Sequence, residues 1–235
     1  VWQMRSNTLT NNLMGLDRNR LEQLVREAVV TQLGGTPTKA TAPGQPNPLL
    51  VNVSALHAHV TQEDLERLFG KGHKLKVFKT LYQDGFFAAE ETVTIIGPRH
   101  RMITNLRILG PCRDHSQVEL AFTDAVQLGL DIPVRKSGDI NESPGCYLLG
   151  PAGMIHLPKG VIRHERHVHM SPADASYYQV KDGDRLNLRV TSDCAVVFEK
   201  LLCRVGNAIK LEVHIDTDEG NACNYSRATG FELFR

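Results

Sequence analysis

The stretch His57-Ala58-His59-Val60-Thr61-Gln62-Glu63-Asp64 returns in the same pattern as His167-Val168-His169-Met170-Ser171-Pro172-Ala173-Asp174. Both read His-x-His, an apolar residue, Ser or Thr, two residues, then Asp. In an extended strand alternate side chains share a face, so each His-x-His sets two imidazoles side by side. Thr61 and Ser171 are natural helix N-caps, because a hydroxyl there accepts a bond from a free N–H of the first turn. Pro172 falls at the first helical position, where its missing N–H costs nothing. Asp64 and Asp174 fall at the third, where a carboxylate can reach back to the cap in a short-armed capping box. Each unit therefore reads as a strand carrying two imidazoles that runs directly into a helix. Ten histidines in 235 residues would give fewer than one such pair by chance. Two pairs with one downstream pattern, at His57 and His167, indicate two related half-modules.

Outward from these units the chain is strand-rich. Thr92–Ile96, Leu106–Leu109 and Tyr147–Leu149 each end at Gly-Pro. Arg185–Val190 alternates strictly, as a half-buried strand does. Val196–Phe198 and Leu211–Ile215 continue the theme, and a helix-like stretch follows Thr123 at Asp124-Ala125. Many short strands with Gly/Pro punctuation predict a mainly β fold with short helices, a barrel or sandwich rather than βαβ units.

Residues 1–35 differ in character. Asp17 can cap a helix in which Leu21, Leu24, Val25, Ala28, Val29 and Leu33 form one apolar stripe, stopped by Gly34-Gly35. Residues 36–48, TPTKATAPGQPNP, read as a flexible linker. A short helix on a linker cannot bury its stripe alone. It folds back on the body, frays, or docks in another protein's groove. Membrane docking fits less well, because its polar face mixes both charge signs and carries no aromatic anchor.

Composition excludes several classes. Twenty-seven basic against 26 acidic side chains give a net charge of +1, without the basic excess of an electrostatic nucleic-acid binder. No apolar run approaches the ~20 residues of a membrane-spanning helix, and residues 1–14 show no signal-peptide core. The five cysteines are scattered with no CxxC, which argues against a disulfide framework or a thiolate zinc site and fits a reducing compartment.

Two His-x-His faces offer up to four imidazoles to a first-row metal, zinc being the default. His214 lies in an alternating strand, and Glu119, a polar residue in the apolar strand Gln117–Leu120, can add a carboxylate. The same residues also read as surface strand positions or hydrogen-bonded core histidines. His73, His100 and His115 sit in polar stretches and read as solvated; His156 and His164 are near the second pair but off its pattern. Arg113 follows the turn at Gly110-Pro111. A guanidinium held there suits a phosphate or a developing oxyanion, and equally reads as a surface loop arginine. Lys71, Lys74, Lys76 and Lys79 read as a solvated edge strand, or as contacts to a polyphosphate ligand.

Over about residues 48–224 the chain resembles the phosphate propanoyltransferases of bacterial microcompartments, the propanediol-utilisation type of phosphotransacylase. VSALHAHVTQEDLERLFG, FAAEETVTIIGP, LRILGPCRDHSQVELAFTDAVQLGL, RHVHMSPADA, VKDGDRLNLRV and LEVHIDTDEGNA carry the likeness. The resemblance implies two small β-barrels capped by short α-helices, one from residues 49–56 and 165–235, the other from 57–164. It implies transfer of a short acyl group, propanoyl or acetyl, between coenzyme A and inorganic phosphate, by direct attack of phosphate at a two-metal site. One zinc would take His57, His59 and Glu119, and the other His167, His169 and His214. Arg113 matches the arginine that holds phosphate. The resemblance also implies a homodimer in the microcompartment lumen, or otherwise the cytoplasm, with residues 17–34 resembling the peptides that dock cargo to shell proteins. There are two departures. Leu56 stands where the first motif normally has arginine, although Arg166 keeps it in the second copy. Gly220 stands where alanine is usual.

Two rivals remain open in the sequence. His57-x-His59-x3-Glu63-x6-Gly70 and Gly145-x5-Pro151-x-Gly153-x2-His156 fit much of the two motifs of a single-metal cupin oxygenase or isomerase. A non-catalytic, metal-stabilised scaffold or shell-binding module is the other. The first predicts one metal per chain, and the second no coenzyme A chemistry.

Overall fold

The computed structural model describes residues 47–235. The expected helix over 17–34 and all but the end of the linker lie outside the described residues. In chain order the strands are β1 (Leu50–Ser54), β2 (His57–His59), β3 (Val77–Thr80), β4 (Phe87–Ile96), β5 (Met102–Gly110), β6 (Gln117–Glu119), β7 (Val134–Arg135), β8 (Cys146–Leu149), β9 (Met154–Leu157), β10 (Val161–His164), β11 (His167–Met170), β12 (Arg185–Thr191), β13 (Val196–Val205), β14 (Glu212–Asp216) and β15 (Gly230–Phe234). Four short helices intervene: α1 (Gln62–Phe69), α2 (Phe122–Leu128), α3 (Pro172–Tyr177) and α4 (Thr217–Ala222). The fold is mainly β, as the Gly/Pro punctuation predicts.

Two curled half-barrel sheets carry the chain. One has six strands in the order β1-β14-β11-β13-β12-β15. The other runs β7-β10-β6-β2-β5-β4-β8-β9, with β3 added on β4. The runs β10-β6-β2-β5-β4 and β1-β14-β11-β13-β12 match strand for strand, with the same parallel and antiparallel pairings at every step. The repeat seen in sequence is thus a repeat of sheet topology. Each sheet has its own apolar core, one around Leu65, Leu106, Ile108 and Leu148, the other around Val168, Leu188, Leu201 and Ile215.

The two units are interlaced. β1 joins β2 through Ala55-Leu56, and β10 joins β11 through Glu165-Arg166. Yet β1 pairs with β14 in the six-stranded sheet, whereas β2 lies in the other. Likewise β10 pairs with β6, whereas β11 pairs with β14. Each His-x-His strand is therefore preceded by a strand that belongs to the opposite sheet.

Both His-x-His strands run into capped helices. Thr61 Oγ1 accepts from Asp64 N at 3.0 Å, and Ser171 Oγ accepts from Asp174 N at 3.2 Å. Asp174 returns the bond to Ser171 N, completing a capping box. Asp64 does not. Its carboxylate instead accepts from the Ser116 hydroxyl, whose oxygen accepts from Thr61 N, so a third residue closes the first box. α2 begins at Phe122, one residue before Thr123, with Ala121 as its cap. Ala121 has no side-chain oxygen to offer, and Asp124 supports its backbone N–H alone. Gly220 also finds a reason: a Cβ there would lie 2.9 Å from both methyls of Val53 on β1, so glycine lets α4 lie against that strand.

Candidate active site

Strand register assembles two triads. In the β2–β6 ladder His57 faces Glu119 and His59 faces Gln117. In the β11–β14 ladder His167 faces His214 and His169 faces Glu212. Glu119 and His214 thus occupy equivalent places in the two units. In each triad the candidate donor atoms lie within 4.8 Å of one another. His57 Nε2 is 3.4 Å from Glu119 Oε2, and His59 Nε2 is 3.8 Å from Oε1. The His167 and His214 rings stack with centroids 4.8 Å apart, and His169 lies 4.9 Å from each.

Backbone carbonyls fix the orientation of the first histidine in each pair. His57 Nδ1 donates to Ala55 O and His167 Nδ1 to Glu165 O, both at 2.8 Å. A carbonyl can only accept, so the proton sits on Nδ1 and the Nε2 lone pair is left free, as a metal-ligating imidazole requires. The joint residues between the crossed strands supply both carbonyls.

Burial and neighbouring groups together set the charges that metal binding requires. Burial pushes His169 from the usual 6.5 down to about 3, helped by repulsion from His214 and Arg204. His59 and His167 are likewise held well below the usual range by burial and by neighbouring imidazoles. Burial would raise the Glu119 carboxyl, but His57, His164, His59 and the Ser137 hydroxyl outweigh it and bring it down to about 2. At neutral pH these groups present neutral imidazoles and an ionised carboxylate, the forms that bind a cation.

The donor set fits a divalent metal such as zinc. Three imidazoles in one triad, and two imidazoles with a carboxylate in the other, are zinc-type donors. His169 Nδ1 and His214 Nε2 are buried without a hydrogen bond among the described residues, although Glu212 Oε2 lies 3.1 Å from the latter. Such orphaned polar atoms are costly unless a ligand satisfies them. Both triads face one cavity of about 730 Å³, with Arg113 on its wall. Arg113 is half-buried rather than a free surface residue, and its Nη1 donates to Ser137 Oγ at 3.1 Å. Ser137 in turn donates to Glu119 Oε1 at 2.6 Å.

A family model for phosphate propanoyltransferase matches residues 50–226. A phosphate propanoyltransferase of Planctopirus limnophila is 54% identical over 94% of this chain and 92% of its own length. One from Thermotoga maritima is 49% identical over 74% of this chain and 83% of its own. One from Salmonella typhimurium is 42% identical over 78% and 87%. This chain belongs to the phosphate propanoyltransferase family. It is an enzyme of the phosphotransacylase type.

The cavity and its surroundings also contain residues that spacing did not reveal. His164, at the end of β10, is buried beside both triads. Its ring stands edge-on to His167 with centroids 5.6 Å apart, and its Nε2 has no partner among the described residues. Gln117 donates to Glu119 at 2.5 Å. Gln83, in the loop after β3, donates to Glu212 Oε2 at 2.7 Å, and Asn52 supports Oε1 at 3.2 Å. Arg204, opposite His169 in the β11–β13 ladder, also lines the cavity.

Other expectations change. His73 is not simply solvated, because its Nε2 meets Glu91 at 2.7 Å. His115 is partly buried, and only His100 of these three is exposed. Lys71, Lys74, Lys76 and Lys79 are exposed, the last on β3 at a sheet edge. The cupin reading does not stand: Glu63 is exposed in the first turn of α1, and His156 is exposed on β9 against the Tyr147 ring. Among the described residues no helix is long and apolar enough to cross a membrane.

Proposed function

We propose that the chain catalyses acyl-CoA + phosphate = acyl phosphate + CoA, with propanoyl or acetyl as the acyl group. The observation that carries this reading is the convergence of two equivalent triads and Arg113 on one cavity. His57, His59 and Glu119 would hold one zinc ion, and His167, His169 and His214 a second. Such ions supply Lewis-acid polarisation of the thioester carbonyl and charge neutralisation. Arg113 holds phosphate oxygens, with its guanidinium anchored by Ser137. A phosphate oxygen attacks the carbonyl carbon, the C–S bond breaks, and the thiolate leaves with the proton that phosphate gives up. Apolar wall residues, Leu56, Leu81, Leu109 and Ile209, keep water from competing for the carbonyl. No acylated side chain is required.

We further assign the chain to a homodimer that works in the lumen of a bacterial microcompartment, with residues 17–34 docking to shell or cargo protein. The apolar stripe of those residues supports the docking, and the homodimer and the lumen rest on the family resemblance alone.

The test is thiol release from propionyl-CoA, with and without phosphate, before and after chelation. The reading requires release that depends on phosphate, stops on chelation and returns with zinc. Folded, metal-loaded protein that releases no thiol would sink it, as would acyl transfer onto the protein in the absence of phosphate.

A further inference from the structure

Three arginines line the cavity, and they differ in what already holds them. Arg107 donates to the carbonyls of Ala89 and Glu90 and packs over the Phe78 ring at 4.6 Å. Arg113 donates to Ser137. Arg204 is only partly exposed, and its guanidinium makes no hydrogen bond or ion pair with any described residue. Its place in the fold is fixed by β13, where it lies opposite His169 on β11.

An unpaired, partly desolvated guanidinium is costly unless a ligand completes it. The environment of Arg204 makes that cost larger. Burial disfavours the charge of Arg113 and of Arg204, and Arg204 adds to the lowering at Arg113. Glu119 is the main offsetting carboxylate for both, with Asp182 a lesser one for Arg204. But Glu119 already accepts from Ser137 and Gln117 and faces His57 and His59. The cavity's other carboxylates are also engaged, Glu212 by Gln83 and Asn52 and Asp84 by Lys210. Arg113 and Arg204 therefore share in Glu119 one already engaged carboxylate, and two guanidiniums so placed suit an oxyanion carrying two negative charges.

We propose that Arg204 binds the phosphoryl group of the substrate directly, forming with Arg113 a two-guanidinium seat for inorganic phosphate and for the acyl phosphate product. This assignment rests on the acyltransferase reading above and adds to it a residue that neither spacing nor resemblance assigned. Phosphate oxygens also occur on coenzyme A, so the test must separate the two sources.

The experiment compares wild type, Arg204→Met and Arg204→Lys as full, zinc-loaded chains. Initial rates are measured with phosphate and propionyl-CoA varied independently, and Tm is measured with and without inorganic phosphate in the absence of acyl-CoA. Loss of a charge-assisted contact raises KM for phosphate by roughly tenfold or more in Arg204→Met. KM for propionyl-CoA stays within about twofold, and lysine restores part of the loss. Without phosphate, the Tm of Arg204→Met equals or exceeds that of wild type, because a repelling, unpartnered charge has gone. A merely structural arginine would lower it. The rise in Tm on adding phosphate shrinks in the variant. An unchanged KM for phosphate overturns the proposal. So does a rise confined to KM for propionyl-CoA, which would assign the guanidinium to coenzyme A. Should wild type show no phosphate-dependent thiol release, the acyltransferase reading falls. The Tm comparison then still decides whether Arg204 binds phosphate.

Discussion

At the scale of single residues, the site is built from groups held in one protonation state, His169 by burial and Glu119 by the imidazoles and the hydroxyl around it. His169 sits at about 3 instead of 6.5, and Glu119 at about 2 instead of 4.5. Both folded values lie below the unfolded ones, so between them the unfolded chain binds more protons than the folded chain. Stability contributed by these groups is therefore full above pH 6.5 and is lost as pH falls, toward about 3 for His169 and toward about 2 for Glu119. Metal-free protein should show a falling Tm from pH 7 to pH 4, and His169→Phe should flatten that slope. A slope unchanged by the substitution would mean the imidazole is not the acid-sensitive group. On the proposed two-zinc reading, elemental analysis should find two zinc ions per chain in wild type and one in His59→Ala, and Glu119→Gln should weaken the same site. The ligand candidates were legible in the sequence because His-x-His spacing reports one strand face. His164 and Arg204 were not. VIRH and EKLLCRV contain no pattern that marks those two side chains, and only the pairing of distant strands turns them toward the cavity. Gln83 was hidden for the same reason, since its partner Glu212 lies 129 residues away.

At the scale of elements, the helices that follow the His-x-His strands hold those strands in register. Each cap hydroxyl satisfies an N–H that would otherwise be left free at the start of α1 or α3. Thr61→Ala should cost about 1 kcal/mol in urea denaturation, the worth of a simple cap. Ser171→Ala should cost more than a simple cap does, because Asp174 also binds Ser171 Oγ and anchors Asn47. Equal and negligible costs would count against the caps as determinants of local geometry. The cap positions were readable from Thr61, Ser171 and Pro172. The use of Ser116 to close the first box was not, because it lies 52 residues from Asp64. The start of α2 was missed by sequence because Ala121 carries no capping oxygen.

At the scale of the whole described body, two separate cores would suggest two independent folding units. The crossing of β1 and β10 argues otherwise, since neither sheet is complete without a strand from the other unit. Ion pairs add to the lock. Arg163 on β10 binds Asp216 and Glu219 at the start of α4, and Glu219 also binds Arg166 at 2.8 Å. The Arg163 guanidinium also lies 4.7 Å over the ring of Phe122, at the start of α2. Arg163→Leu leaves two buried carboxylates with fewer partners and should cost about 3 kcal/mol or more. Calorimetry should record a single transition for both cores, in wild type and in this variant. Two resolved transitions would show that the crossed strands do not couple the sheets. The mainly β class was legible from Gly/Pro-punctuated short strands. The exchange was not, because nothing local in Leu50–Ser54 says which sheet it joins.

The crossed strands carry one more consequence, for ancestry. A polypeptide with a single strand–His-x-His–helix unit could not close its own sheet, because its leading strand would belong to a neighbour. Two copies trading that strand would build both sheets and both triads around a twofold axis. The topology is that of such a swapped pair fused end to end. Within one chain the halves are free to differ, and at equivalent places they do: a carboxylate at Glu119 against an imidazole at His214, and Leu56 against Arg166.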